Sequence, residues 1–519
     1  MTRSAEHDGD LPENWASTEL RHLVEDVQPG FACGVHNRDG DGIGHLRPMN
    51  VTQEGQIDLS VLKFVSKTEV HRDERLIRAG DVLFNNTNSP ELVGKTALYT
   101  LSEPRAFSNH MTRVRCSREA ITPAFCALYL HHKWQTGYFL SVCNNHVSQA
   151  SVGQNVLLDI SVDLPPLAEQ QRIVAKVEEL LGRVGAARER LAKVPALLKR
   201  FRQSVLAAAC SGQLTEDWRE NNSCQSAATL LKELHRRQWH ARGSKYMEPI
   251  CPKVEEDCEI PEGWEFTGID SILSIERRGM KTGPFGTALK KSEHQECGVP
   301  VLGIENIGKM RFIHGSKIHI TQAKAVELAE YDARPCDILI SRSGTVGEVC
   351  VVPAGLGEAR ISTNIMRVCL AVRGMEPRFF CCLVNGSPYV LSQISRLCGG
   401  STRDFLNQTI LRSLRLTLPP WDEQQEIIRR VETLFTLADK IEARVKSATA
   451  RVEKSTQAIL AKAFHGELVP TEAKLARQEG RDYEPASVLL ERIRRQRDAE
   501  SDGKVHRKQK VGKSPRRKG

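Results

Sequence analysis

No stretch of the 519-residue chain holds the roughly 18 consecutive apolar residues that a membrane-spanning helix requires. The opening MTRSAEHDGDLPENW likewise has no apolar segment of the kind that targets a chain for export. A soluble, cytoplasmic protein is expected. The 15 cysteines include no CxxC pair and no Cys/His spacing of a zinc site, and several lie in apolar runs such as FFCCLV. Buried reduced thiols are expected, and no metal site.

Catalytic signatures are also missing. There is no PD…ExK nuclease constellation and no H-E-x-x-H. TLPPW (417–421) ends like the Pro-Pro-aromatic motif of adenine methyltransferases, but Leu418 stands where Asn, Asp or Ser must accept a hydrogen bond from the target amine. GDGIG (40–44) follows HNRD rather than an apolar strand, so it reads as a surface turn. SPELVGKT (89–96) ends like a phosphate loop but has Ser89 at its first glycine position, where the backbone nest must form. The chain is expected to hold no cofactor and no catalytic residue.

Even the charge is localised. Of the net +9, eight Lys/Arg lie in the acid-free tail from Gly503 to Gly519. The remainder is close to neutral, about +1. The tail is expected to be disordered and to add nonspecific attraction to phosphate.

What the chain does have is itself, twice. LPPLAEQQ (164–171) returns as LPPWDEQQ (418–425). At the same offset FSNHMTRV (107–114) falls on ISTNIMRV (361–368), and TPAF (122–125) on EPRF (376–379). Further out, GDVLF (80–84) matches CDILI (336–340), LPENW (11–15) matches IPEGW (260–264), and AATLLKELHRR (227–237) matches ASVLLERIRRQ (486–496). A period this long means duplicated domains rather than a solenoid.

Each copy begins with short apolar runs between Gly, Asn, Ser and Pro clusters, the pattern of a mixed head of strands with some helix. A long helix follows each LPP. Its apolar positions step alternately by four and three: Ile173, Val177, Leu180, Val184, Ala187, Leu191, Val194, Leu198, Phe201, Val205. The second copy repeats the seam at Ile427, Val431, Leu434, Ala438, Ile441, Val445, Ala448, Val452, Ser455 and Ile459. Two matched heptad seams in one chain are expected to pack on each other. The fold class expected is therefore α+β, with two pseudo-symmetric mixed heads joined by two long helices packed as an antiparallel coiled coil, Pro195 kinking the first. The segments are 1–163 (first head), 164–245 (central helical spacer), 246–417 (second head), 418–500 (C-terminal helical spacer) and 501–519 (basic tail). A seam from 173 to 205 is about 50 Å long. That length spans roughly 15 base pairs of DNA.

The LPP-x-x-EQQ octets, the duplication and the paired seams together resemble the specificity subunit of type I restriction-modification systems, over essentially the whole chain apart from the tail. The resemblance implies that each head is a target-recognition domain for one half of a bipartite double-stranded DNA sequence. It further implies that the helices space the heads and hold two methyltransferase subunits, which restriction subunits join. On this reading the chain is noncatalytic, and S-adenosylmethionine, ATP and Mg belong to the partner subunits. The alternative is a coiled-coil adaptor whose two heads bind proteins.

Residues that read bases are sought where the copies diverge, because agreement between copies marks shared scaffold. FNNTNSPELVG (84–94) against ISRSGTVG (340–347) offers Asn85, Asn86 and Asn88 for adenine edges and Arg342 for guanine. ERRGMKTGPFGTALKKSE (276–293) offers Arg277, Arg278, Lys281, Lys290 and Lys291 for phosphate. CNNHVSQ (143–149) against LCGGSTR (397–403) offers Asn145, His146 and Gln149 in one head and Arg403 in the other. The matched Arg113 and Arg367 are expected to be scaffold.

Overall fold

A computed structural model describes residues 11–37, 40–70, 75–145, 149–254, 258–285, 288–342, 348–398 and 406–497. The basic tail, His146 and Arg403 lie outside the described residues.

The duplication is visible strand by strand. In the first head, Ala16–Glu19 pairs antiparallel with Ser161–Leu164, so the start of the head is closed by the strand that leads into the LPP. In the second, Glu265–Gly268 pairs with Arg415–Leu418 in the same way. The short apolar runs build an antiparallel four-stranded sheet in each head. Its order is Val24–Pro29, Thr112–Cys116, Val82–Phe84, Thr96–Leu98 in the first head. In the second it is Met280–Thr282, Ile365–Val368, Ile338–Ser341, Val349–Val351. The matched TPAF and EPRF open the helices Pro123–Gln135 and Pro377–Gly386, each with proline in the first turn, where its missing N–H costs nothing.

The two long helices run Leu167–Ser211 and Trp421–Phe464. Pro195 lies inside the first, which continues through it unbroken. The chain divides into two compact units, and each helix passes from one to the other: the first unit gathers residues up to Ala192 with those from Ser447 onward, the second Lys193–Lys446. In the first unit Ile173 and Val177, near the start of the first helix, share a core with Leu460, Ala463 and Phe464 at the end of the second. In the second unit Val205, Leu206 and Ala209 share a core with Ile427, Ile428 and Val431. Start meets end both times, as antiparallel pairing requires. Seam residues between these regions, such as Leu180, Val184, Leu191, Ile441, Val445 and Val452, are half-buried, and Phe201 and Ser455 are exposed.

The recurring octet has a structural role. Glu169, Gln170, Glu423 and Gln424 are all fully buried. Gln170 accepts from the backbone N–H of Thr122 (2.8 Å) and donates to the Pro165 carbonyl (3.0 Å). Gln424 accepts from Glu376 N–H (2.7 Å) and donates to the Pro419 carbonyl (2.9 Å). Each glutamine thus ties the start of a long helix to the first turn of its head's own helix. Each glutamate takes the indole N–H of the matched tryptophan, Trp15 on Glu169 (2.9 Å) and Trp264 on Glu423 (2.8 Å).

The second carboxylate oxygen takes a group from beyond the other copy's helix. Glu472 N–H reaches Glu169 (2.7 Å); the Thr215 hydroxyl (2.8 Å) and the Arg219 guanidinium reach Glu423. Burial pushes the Glu169 carboxyl up, against the opposing pull of those two N–H donors. The adjoining turns are Gly212 (φ +79°) and Gly466 (φ +72°), where an added Cβ would lie 2.4 Å from Pro261 Cγ and 2.6 Å from Pro12 Cγ. Following each turn, helix Ala227–Arg242 packs on the second head and helix 486–497 on the first, where Leu489, Leu490 and Ile493 enter the core. The linear segmentation is therefore regrouped, because each post-helix segment completes the head of the other copy.

All 15 cysteines are unbridged; seven are buried, whereas Cys297 and Cys336 are exposed. Burial pushes the imidazoles of His45 and His131 down to about 4. Both stay neutral in the fold yet titrate near 6.5 when unfolded, so the unfolded state binds the proton first. The first unit should therefore lose roughly 3 kcal/mol per imidazole as pH falls from about 6.5 to 4. Thermal unfolding across that window checks this, and a His131→Gln variant should lose correspondingly less. An equal acid loss in that variant would remove the histidine from the account.

Candidate nucleic-acid interface

One end of the four-stranded sheet is built alike in both heads. The register sets Phe84 opposite Thr112 and Thr112 opposite Pro29, and in the second head Ile340 opposite Met366 and Met366 opposite Thr282. The strand entering this end stops at a glycine that lies hard against the neighbouring backbone. Gly30 N–H donates to the Met111 carbonyl (2.9 Å) and Gly283 N–H to the Ile365 carbonyl (3.0 Å). A Cβ would lie 2.2 Å from the Phe107 oxygen in one head and 1.9 Å from the Ser362 oxygen in the other, which excludes any other residue.

The divergent pair Asn86 and Arg342 occupies the same place at this end. Asn86 Nδ2 donates to the Asn109 carbonyl (3.2 Å), and an Arg342 guanidinium nitrogen donates to the matched Thr363 carbonyl (3.3 Å). Both side chains brace the loop before the next strand, whose Asn109 and Asn364 are exposed. Arg342 itself is buried, with its guanidinium 5.6 Å from the ring of the exposed Phe285. In the first head a small three-stranded sheet adds to the face, with Asn145 opposite Ala150 and Ala150 opposite Asn88. Asn145 and Gln149 are exposed and Asn88 half-buried, its Oδ1 accepting from Ser89 N–H (2.8 Å).

Arg342, sought for guanine, is thus held in the fold as a brace for its loop, and three further residues sought as DNA contacts are held inside as well. Asn85 is fully buried and donates to the Pro48 carbonyl (3.0 Å). Lys281 is buried, paired with Glu330 (2.6 Å) and 4.4 Å from the Tyr331 ring centroid. Arg277 is engaged by Asp332 (3.1 Å) and Asp337. The expected loop of free cations is corrected accordingly: carboxylates of the same head pair with two of its members, Glu330 with Lys281 and Asp332 and Asp337 with Arg277, and Arg278, Lys290 and Lys291 remain exposed. Arg113 and Arg367 are buried; Arg113 bonds Asp26, Gln28 and the Leu76 carbonyl, and Arg367 bonds Asp332 and the Arg278 carbonyl. Burial opposes ionisation of Asp332, yet Arg367, Arg277 and Arg334 hold its carboxyl below the usual range.

Among the described residues no group of three or more His, Cys, Asp or Glu side chains is arranged to hold a metal, and no helix is long and apolar enough to cross a membrane. Sequence reasoning passed over the buried Glu169 and Glu423, whose identity in both octets was the available signal. It also passed over the hairpin at 307–312.

The family model described as the type I restriction modification DNA specificity domain matches residues 47–195 and 261–448. The type I restriction enzyme EcoBI specificity subunit of Escherichia coli is 30% identical, over 83% of this chain and 88% of its own length. The StySPI specificity subunit of Salmonella potsdam is 28% identical over 96% and 99%. In fold, the chain is similar to the crystal structure of the HsdS subunit from Thermoanaerobacter tengcongensis, with a TM-score of 0.55 and 19% identity over 89% of this chain and all of that one.

Proposed function

The chain belongs to the type I restriction-modification DNA specificity family, and from that premise we propose that it is the noncatalytic subunit through which such an enzyme chooses its DNA target. Each head reads one half of a bipartite double-stranded site. The observation that carries this is the shared sheet end: one backbone arrangement, built twice, whose loops are braced by the unlike matched residues Asn86 and Arg342, with strands bearing Asn88 and Asn145 added beside it in the first head. One scaffold with two sets of reading groups is what recognition of two unlike half-sites requires.

The first head's candidates are amides, Asn88, Asn145 and Gln149, which suit adenine edges in the major groove. Asn86 and Arg342 support the loops beside them. In the second head Arg278, Lys290 and Lys291 suit phosphate. The long helices space the heads and seat two methyltransferase subunits, and their exposed Leu197 and Leu437 supply apolar surface for such a contact. S-adenosylmethionine, ATP and Mg act in the methyltransferase and restriction subunits. Adenines in the two half-sites are flipped and methylated by the partner.

The test is a genome-wide adenine-methylation map of a host carrying the chain with its methyltransferase, against a host lacking only this chain. One bipartite motif should vanish. With Asn88→Ala/Asn145→Ala one half-site should relax by about 1–3 kcal/mol of discrimination per lost contact, with the other half-site unchanged. No motif lost in the deletion host would turn the reading towards a protein-binding adaptor.

A further inference from the structure

We propose that the hairpin Ile307–Gly308/Arg311–Phe312 of the second head, with the loop that follows to Lys317, is a cationic ribbon that grips the DNA phosphate backbone, a role resting on the reading above. From Ile307 to Ile320 the sequence IGKMRFIHGSKIHI has Lys309, Arg311 and Lys317 and no acid. All three cations and His314 are exposed, and none of the three cations forms an ion pair among the described residues.

The ribbon is held rigidly in place. Ile307 pairs with Phe312 and Gly308 with Arg311, and the turn residue Met310 (φ 55°) donates its N–H to the Val349 carbonyl (3.1 Å). Val349 pairs with Ile340, one residue before Ser341 and two before Arg342, so the turn lies at the sheet end already described. Buried Asn306 fastens the following loop, accepting from Gly303 N–H (2.8 Å) and donating to the carbonyls of Ile313 (2.9 Å) and Gly315 (2.7 Å). Backbone fixed this firmly, with its charges turned to solvent, costs little further ordering on binding a polyanion.

The first head makes the comparison. Asn50 repeats the fastening, accepting from Arg47 N–H (2.9 Å) and donating to the Asp58 carbonyl (2.8 Å). The segment it holds, VTQEGQIDLSVL (51–62), has Glu54 and Asp58 and no cation. Glu54 is tied to Arg188 on the long helix (3.0 Å). The matched helix position is Glu442, taken up by Arg202 (2.8 Å). One backbone device is therefore anionic and fastened to its helix in one head, and cationic and exposed in the other. A merely solvated hairpin would have no reason to exclude acid so completely while bordering the reading end.

The experiment uses the full chain in complex with its methyltransferase subunits, and compares wild type with Lys309→Gln/Arg311→Gln/Lys317→Gln by DNA binding from 50 to 200 mM salt. Three lost phosphate contacts should make the slope of log affinity against log salt shallower by about 3. Cognate and scrambled DNA should weaken by the same factor, and the methylated motif should keep its sequence. Circular dichroism matching wild type checks that the variant folds, and the single Arg311→Gln, with a change near 1, serves if the triple does not. An unchanged slope, with wild type still binding its own motif preferentially, overturns the ribbon alone. A changed second half-site overturns the phosphate role in favour of base reading. Wild type with no sequence-dependent binding removes the reading on which the proposal stands.

Discussion

Glu423→Ala should destabilise the second unit by about 3–5 kcal/mol, the cost of breaking a buried charge pair from one side. The carboxylate is 1% exposed and collects the Trp264 indole, the Thr215 hydroxyl and the Arg219 guanidinium. Truncation leaves all three donors facing a cavity, and Arg219 loses the anion that justified its partial burial. The strand Glu265–Gly268 and the turn 213–215 should loosen together, although they lie some fifty residues apart in sequence. Hydrogen exchange in those two segments reads the effect locally, which matters because a two-unit chain need not unfold in one step. Glu423→Gln keeps one acceptor oxygen, for Trp264 or for Thr215 but not for both, and should cost less than alanine. A shift below about 1 kcal/mol for the alanine variant would mean that the octet's glutamate does not hold the head to the helix.

Arg277→Ala is the second large effect, and it separates two roles for a residue that sequence alone marked for phosphate. Its guanidinium lies between Asp332 (3.1 Å) and Asp337, and Asp337 is 2% exposed. Removal leaves a buried carboxylate short of its partner, at a cost of about 3 kcal/mol. The pH dependence has a definite sign. Burial raises and then Arg367, Arg277 and Arg334 more than offset the Asp332 pKa, so it lies below its ordinary value in the fold. The associated stability is present above about pH 4 and is lost as pH falls through the folded pKa. The gap between variant and wild type should therefore be widest near neutrality and narrow in acid. Below the melting point, the salt slope of DNA binding should not change. A slope shallower by about 1, with stability intact, would return Arg277 to the phosphate contacts.

Arg277 and Lys309 illustrate what could be read in advance. Both are cations in glycine-punctuated segments of the second head, and composition does not tell them apart. Asp332 and Asp337 stand 55 and 60 residues beyond Arg277, and only the folded sheet brings them to it. The hairpin was legible in principle, as an acid-free run facing an acidic one at the matched place. Asn85 and Asn86 show the same limit at closer range: adjacent amides, one turned into the core towards Pro48 and the other towards Asn109. A strand alternates its faces, but which face is core depends on what covers it.

Repetition and periodicity were sufficient for the large features. The 254-residue recurrence of the octet established two copies, and steps of four and three established two long helices, because the register of a helix is a local property of spacing. Local spacing cannot say where a segment goes after its helix ends. Only the tertiary structure decided that residues 213–242 complete the second head and 466–497 the first, since burying Glu423 requires Thr215 and Arg219, and burying Glu169 requires the N–H of Glu472. A buried carboxylate must find its donors wherever in the chain they lie, and that need builds each unit from segments of both sequential copies.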